Sequence, residues 1–234
     1  NTILEAKQRL LYKSGTEAFA NADIDKAIKK LNESLKVGDY ERQTKAEAHF
    51  WRGEAYYRKG NFRQATKDYT QYFNLTKEHN GRIYALALYG QGYAYFMQQK
   101  YQDAFKQFNQ LMQKFTAAAV IDKTTLADAQ MRIGDCYFHS RKYNAAEAAY
   151  NKAVSTDASQ ADYAVYQKAF TQGLTSRYSD KIGTLTYLTE TYPQSDYFDD
   201  ALYEKGRAYV QLENGTQAIS TFEQLTSQFP QSHY

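Results

Sequence analysis

Proline and glycine are scarce in this sequence, with 2 Pro and 12 Gly in 234 residues. Inside a helix proline costs about 3 kcal/mol and glycine about 1 kcal/mol. Their scarcity beside plentiful Ala, Gln, Lys and Leu predicts a helical chain, and no segment reads as a strand. A single Cys excludes an internal disulfide and leaves the redox compartment open. No apolar run approaches the roughly 18 residues of a spanning helix, so no direct membrane insertion is expected. No signal segment is visible, but the sequence begins at Asn1 rather than Met, as a processed or trimmed chain would. Neither sign of charge is in excess: Lys+Arg 29 against Asp+Glu 26 leaves +3. That balance does not predict nucleic acid as a partner, because a basic groove should accompany any stacking rings. Phosphate-binding glycine loops, zinc-ligand spacings and Ser-His-Asp orders are missing as well. No catalytic residue, metal or cofactor is therefore expected.

What the chain does have is rings, 23 Tyr and 13 Phe. Their order follows one unit repeated six times. A small residue anchors each copy: Gly15, Gly53, Gly92, Gly134, Ala169 and Gly206, separated by 38, 39, 42, 35 and 37. Twelve residues on stand Ala27, Ala65, Ala104, Ala146, Lys181 and Ala218. Four further come Leu31, Tyr69, Phe108, Tyr150, Leu185 and Phe222. Small residues belong where two helices cross, since large ones would separate the backbones. A second small seam lies five before the anchor (Ala48, Ala87, Ala129, Ala164, Ala201) and two after it (Ala55, Ala94, Cys136, Ala208). Nine after the anchor, Ile24, Phe62, Tyr101, Tyr143 and Tyr178 should open the second helix. Pro193 and Pro230 each follow an aromatic and precede Gln-Ser, where a proline forces the chain out of a helix.

The small anchor, the Ala twelve on and the aromatic beyond it resemble the tetratricopeptide repeat. The resemblance covers nearly the whole chain. It implies an all-α fold, an α-α superhelix (solenoid) of about six helix-turn-helix repeats at 3–37, 44–78, 83–118, 125–158, 160–195 and 197–234. Extra length falls at Lys36 to Gln43, Thr76 to Arg82, Thr116 to Thr125 and Ser155 to Asp162, and no domain boundary is visible. Ser232-His233-Tyr234 stands at the phase of Ser195-Asp196-Tyr197, so the sequence reads as a fragment of a longer array. The family's Trp slot instead holds Leu11, His49, Leu88, Gln130, Val165 and Leu202. The long period and the Tyr-Pro-Gln-Ser and Phe-Pro-Gln-Ser exits look more like repeats of bacterial cell-envelope proteins, including outer-membrane-assembly lipoproteins. That narrower likeness suggests a periplasmic or outer-membrane-associated place.

In the family the first helices line a concave face. Positions three before, one after and four after the anchor share that face. They supply the candidate partner-binding residues Tyr12, Phe50, Tyr57, Tyr89, Tyr93, Phe96, Met131, Phe138, Tyr166, Phe170, Tyr203 and Arg207. Two readings stand side by side. Neighbouring first helices can simply pack these rings on one another, or the rings can form a groove for a peptide or protein. Tyr89, Tyr93 and Phe96 are the centre of the second reading. A non-enzymatic interaction scaffold is the expected function, with a glycan- or peptidoglycan-binding module as the alternative and single-strand nucleic-acid binding third. Cys136, His139 and Asp135 share a helical face, but Cys136 stands where sister repeats hold Ala, which reads as a buried small residue. His49 likewise reads as packed and hydrogen-bonded. Asp199 and Asp200 fall at a helix start, where acids oppose the dipole.

Overall fold

The computed structural model describes residues 2–115 and 120–234. Among them, twelve α-helices run in consecutive pairs. These are α1 (Thr2–Ala20) with α2 (Ile24–Val37), α3 (Arg42–Arg58) with α4 (Phe62–Leu75), and α5 (Arg82–Met97) with α6 (Tyr101–Lys114). Then come α7 (Lys123–His139) with α8 (Tyr143–Thr156), α9 (Asp162–Leu174) with α10 (Tyr178–Thr191), and α11 (Phe198–Gln211) with α12 (Gly215–Gln228). A 3-10 turn at Ala158–Gln160 precedes α9. The described residues contain no strand and no helix long and apolar enough to cross a membrane. The fold is all-α and built from helical repeats, the class read from the sequence. The chain packs as two units, Asn1–Asp122 and Lys123–Tyr234, each with three helix pairs. The end of the third repeat at 118 and the start of the Thr116 to Thr125 connection lie outside the described residues.

Each pair is locked by a residue of its second helix laid on the anchor of its first. A Cβ on Gly92 would come 2.8 Å from Phe108, one on Gly134 2.5 Å from Tyr150, and one on Gly206 2.5 Å from Phe222. Gly15 meets Leu31 in the same way, at 2.7 Å. The side chain sixteen after the anchor therefore occupies the volume that a Cβ would need. Ala169, the one anchor with a Cβ, is buried in one cluster with the branched Leu185. The alanines twelve after the anchor are buried, as are both small seams.

The turn inside each pair is the same six times. The residue seven after the anchor has positive φ, 56° to 74°, at Ala22, Gly60, Gln99, Arg141, Ser176 and Glu213. The next residue donates its N–H back across the turn, as from Asn61 to Tyr56 O (2.9 Å) and from Lys142 to Tyr137 O (2.9 Å). This is the Schellman closure of a helix C-terminus. Gly60 alone adopts the left-handed region without a Cβ penalty. The second helix then starts on the predicted aromatic in α4, α6, α8 and α10, and on Ile24 in α2. Asp23, Asn61 and Asn214 cap their helices through side-chain oxygens, whereas Lys100, Lys142 and Arg177 provide no such bond.

Candidate functional site

The predicted stripe divides into rings that are half-exposed and residues that are not. In the unit Asn1–Asp122, Phe50 is 1% exposed and packs against Trp51, Tyr69 and Tyr72. It is core and has no area to offer a ligand. Tyr12 is half-buried and donates its hydroxyl to Glu47 at 2.7 Å; burial, then Glu47, pushes that phenol up. Tyr57 meets Phe62 edge-on at 5.3 Å. Tyr89 and Tyr93 lie 5.0 Å apart and bracket Phe108, the ring that covers Gly92. Phe96 packs edge-on against Tyr101 at 5.3 Å. Tyr57, Tyr89, Tyr93 and Phe96 are all half-buried.

Charged residues in this row answer the ring sixteen after the anchor. Where that ring is Tyr, the residue just after the anchor is an acid. Tyr69 donates its hydroxyl to Glu54 at 2.5 Å, and Tyr150 donates to Asp135 at 2.8 Å. Where it is Phe108 or Phe222, that residue is Tyr93 or Arg207. Asp135 also accepts from Tyr163 (2.9 Å) and from Arg132 (2.5 Å). Burial raises both carboxyls above their ordinary values, and their hydrogen-bonding partners pull them back down. Glu54 and Asp135 therefore hold the fold together beneath the rings.

In the unit Lys123–Tyr234, Met131 is buried with Ala146, Tyr150 and Ala164, so it too is core. Phe138 sits between Tyr143 (5.8 Å) and Phe170 (6.0 Å). Tyr166 stacks on Tyr197 at 5.1 Å, and Tyr203 on Tyr234 at 3.9 Å. These two stacks are one motif used twice. Ser195 donates its hydroxyl to Asp162 at 2.6 Å, and Ser232 donates to Asp199 at 2.8 Å. Each Pro-Gln-Ser exit thus ends in a Tyr clipped onto the preceding first helix.

A cavity of about 210 Å³ opens between α9, α10 and α11. It exists because the fifth pair departs twice from its sisters. Gly173 stands four after the anchor, where four other pairs hold Phe19, Tyr57, Phe96 and Phe138, and Lys181 stands where the others hold Ala. A Cβ on Gly173 would come 3.0 Å from Lys181 Nζ, so the lysine occupies part of the volume a ring would fill. The ammonium pairs with Glu204, both side chains being 8% exposed. The second oxygen of Glu204 accepts from Arg207 Nη1 at 2.9 Å. Phe170, Leu174 and Tyr178 form apolar walls beside this cluster of two cations and one carboxylate. Phe170 and Arg207 belong to the predicted row, whereas Lys181, Glu204, Leu174 and Tyr178 do not. The signal that could have found them is Lys181 itself, a charge in a slot that is buried in every sister repeat.

Cys136 is buried beside Asp135, and its thiol is pushed up to about 12, chiefly by burial and then by the Asp135 charge. Iodoacetamide at pH 8 should alkylate it at least about a hundredfold more slowly in the native chain than in urea. Equal rates would mean that the thiol is accessible. Among the described residues no three His, Cys, Asp or Glu side chains are grouped to hold a metal. His49 Nδ1 lies 2.8 Å from Asp68 and is a packed, hydrogen-bonded residue.

Family models for the tetratricopeptide repeat match residues 46–79, 86–116, 127–160 and 200–232, together more than half of the chain. No curated protein matches the chain in sequence. Among solved structures, the C-terminal part of a TPR repeat-containing protein from Cytophaga hutchinsonii is 15% identical with a TM-score of 0.75, covering 92% of this chain and 78% of that one. Pseudomonas aeruginosa PilF is 14% identical with a TM-score of 0.65, over 98% and 95%. YrrB, described as a TPR protein with an unusual peptide-binding site, is 15% identical with a TM-score of 0.65, over 86% and 93%. At these identities the likeness concerns the fold.

Proposed function

This chain belongs to the tetratricopeptide repeat family, and from that premise we propose that it is a non-enzymatic scaffold that holds a peptide segment of a protein partner against its first helices. The observation that carries this reading is the cavity between α9 and α11. It lies on the predicted row, and apolar walls beside a charged floor suit a peptide side chain with an apolar body and a polar end. The half-exposed rings Tyr57, Tyr89, Tyr93 and Phe96 of the other unit extend the same chemistry there. Peptide is favoured over glycan because sugars stack on flat ring faces. Tyr166 and Tyr203 already have a face covered by Tyr197 and Tyr234. The paired Pro-Gln-Ser exits motivate a place in the bacterial cell envelope as the finer assignment.

A displayed peptide library selected on the chain tests the reading. Leu174 is exposed at the rim of the cavity, so Leu174→Glu should leave folding intact while setting a carboxylate at its mouth. Selected peptides should lose at least about tenfold in affinity on this variant or on the Tyr89→Ala, Phe96→Ala double variant. Such a loss is about 1.4 kcal/mol. Peptides that bind both variants as they bind the parent would sink the assignment.

A further inference from the structure

A second cavity, of about 590 Å³, lies between α3, α4 and α5 on a different face from the rings. The ring positions stand three before, one after and four after the anchor, whereas His49, Arg52, Tyr95 and Gln98 stand four before, one before, three after and six after it. At about 100° per residue the two sets are roughly 150° apart around the first helices. Four cations line the cleft, Arg52, Arg63, Lys67 and Lys100, against the single carboxylate of Asp68.

That carboxylate is already satisfied. Asp68 is buried and accepts from Arg52 Nε at 2.9 Å and Nη2 at 2.6 Å, with His49 at 2.8 Å. Arg52 Nη1 donates to Asn32 at 2.5 Å. Arg52 and Asp68 thus form a neutral, rigid floor. Arg63, Lys67 and Lys100 remain, all exposed, and among the described residues none of them makes an ion pair. Arg63 and Lys67 stand one helical turn apart on α4, and Lys100 enters from the turn after α5, its Nζ 6.0 Å from the Tyr95 ring.

The rest of the lining is amide and hydroxyl, from Gln64, Gln71, Gln98, Thr66 and Thr70, with the Tyr95 phenol and the His49 imidazole as its rings. No aliphatic wall is present to seat an apolar anchor, so this cleft does not suit the peptide chemistry of the other cavity. Its volume falls within the range of small-molecule sites, about 300–1,000 Å³. Three uncompensated cations match a dianion, and planar and ammonium donors together suit phosphate oxygens. Gln98 donates its amide to Phe62 O (3.2 Å) and Ala94 O (2.8 Å), and Thr66 and Thr70 donate to Arg63 O and Thr66 O, so the Gln64 and Gln71 amides are the groups that match a polyol.

We propose that this cleft binds a small sugar phosphate, its phosphate ester held by Arg63, Lys67 and Lys100 and its hydroxyls by the Gln64 and Gln71 amides. The test is calorimetric titration of the whole chain with glucose 6-phosphate, glucose, inorganic phosphate and phosphatidylglycerol vesicles, at 50 and 200 mM salt. Saturable one-to-one binding of glucose 6-phosphate, tighter than glucose or phosphate and weaker at high salt, is expected. It should fall at least tenfold in Arg63→Gln, Lys67→Gln and separately in Lys100→Gln, and be unchanged in Leu174→Glu. Both α4 side chains are exposed, so the double variant should melt with the parent. Glucose 6-phosphate binding no better than glucose or phosphate, binding only to vesicles, or full affinity in both cleft variants would each overturn the proposal.

Discussion

Tyr150→Ala lowers the unfolding free energy by about 3–5 kcal/mol, the range for deleting a buried aromatic. The ring is fully buried against Gly134, whose missing Cβ is the space it fills, and Ala146 and Ala153 close around it. No neighbour can collapse into the void without moving α7 or α8. The hydroxyl adds a separate quantity. Tyr150→Phe keeps the ring and removes one donor from Asp135, whose burial already disfavours its charge. That variant costs about 1–3 kcal/mol. Urea denaturation read by circular dichroism measures both. A Phe variant as stable as the parent would mean that Tyr163 and Arg132 suffice for Asp135, and an Ala loss under about 1 kcal/mol would mean that the pair is not locked by its ring.

Glu204→Ala should cost about 3–5 kcal/mol, because it leaves the Lys181 ammonium buried without its carboxylate. Lys181→Met together with Glu204→Leu should be close to neutral, since apolar residues of similar size replace two desolvated charges. The double-mutant cycle separates the pair from the packing. A double variant as damaged as the single one would show that the charges are not what the site depends on. The same double variant empties the cavity floor of its ion pair, so the peptides selected above should lose affinity on it although the chain remains folded.

Much of this fold is legible in the residue order. The anchors, the Ala twelve on and the large side chain four beyond it predict six helix pairs, and the aromatic nine after the anchor marks where α4, α6, α8 and α10 begin. These are short-range patterns, each fixed by helix geometry and one crossing. The turns are less visible, because five of the six left-handed positions carry Ala, Gln, Arg, Ser or Glu rather than the expected Gly. Position three before the anchor is ambiguous in principle, since it borders both the open face and the partner helix. Phe50 and Met131 turn inward there, while Tyr12, Tyr89, Tyr166 and Tyr203 stay half-exposed. The bond between Lys181 and Glu204 spans 23 residues and two helices, and no repeat pattern announces a partner that only one copy has.

The matched acid and tyrosine bear on anyone who would shuffle these repeats as cassettes. Crossing over in the α3–α4 turn separates Glu54 from the hydroxyl of Tyr69, and crossing over between α7 and α8 does the same to Asp135 and Tyr150. Cuts placed between pairs keep each couple on one fragment. The junction of the fourth and fifth copies still divides a bond, because Tyr163 reaches back across it to Asp135, as the junction of the first and second divides Tyr12 from Glu47. A chimera joined there inherits an acceptor from one parent and needs the donor from the other.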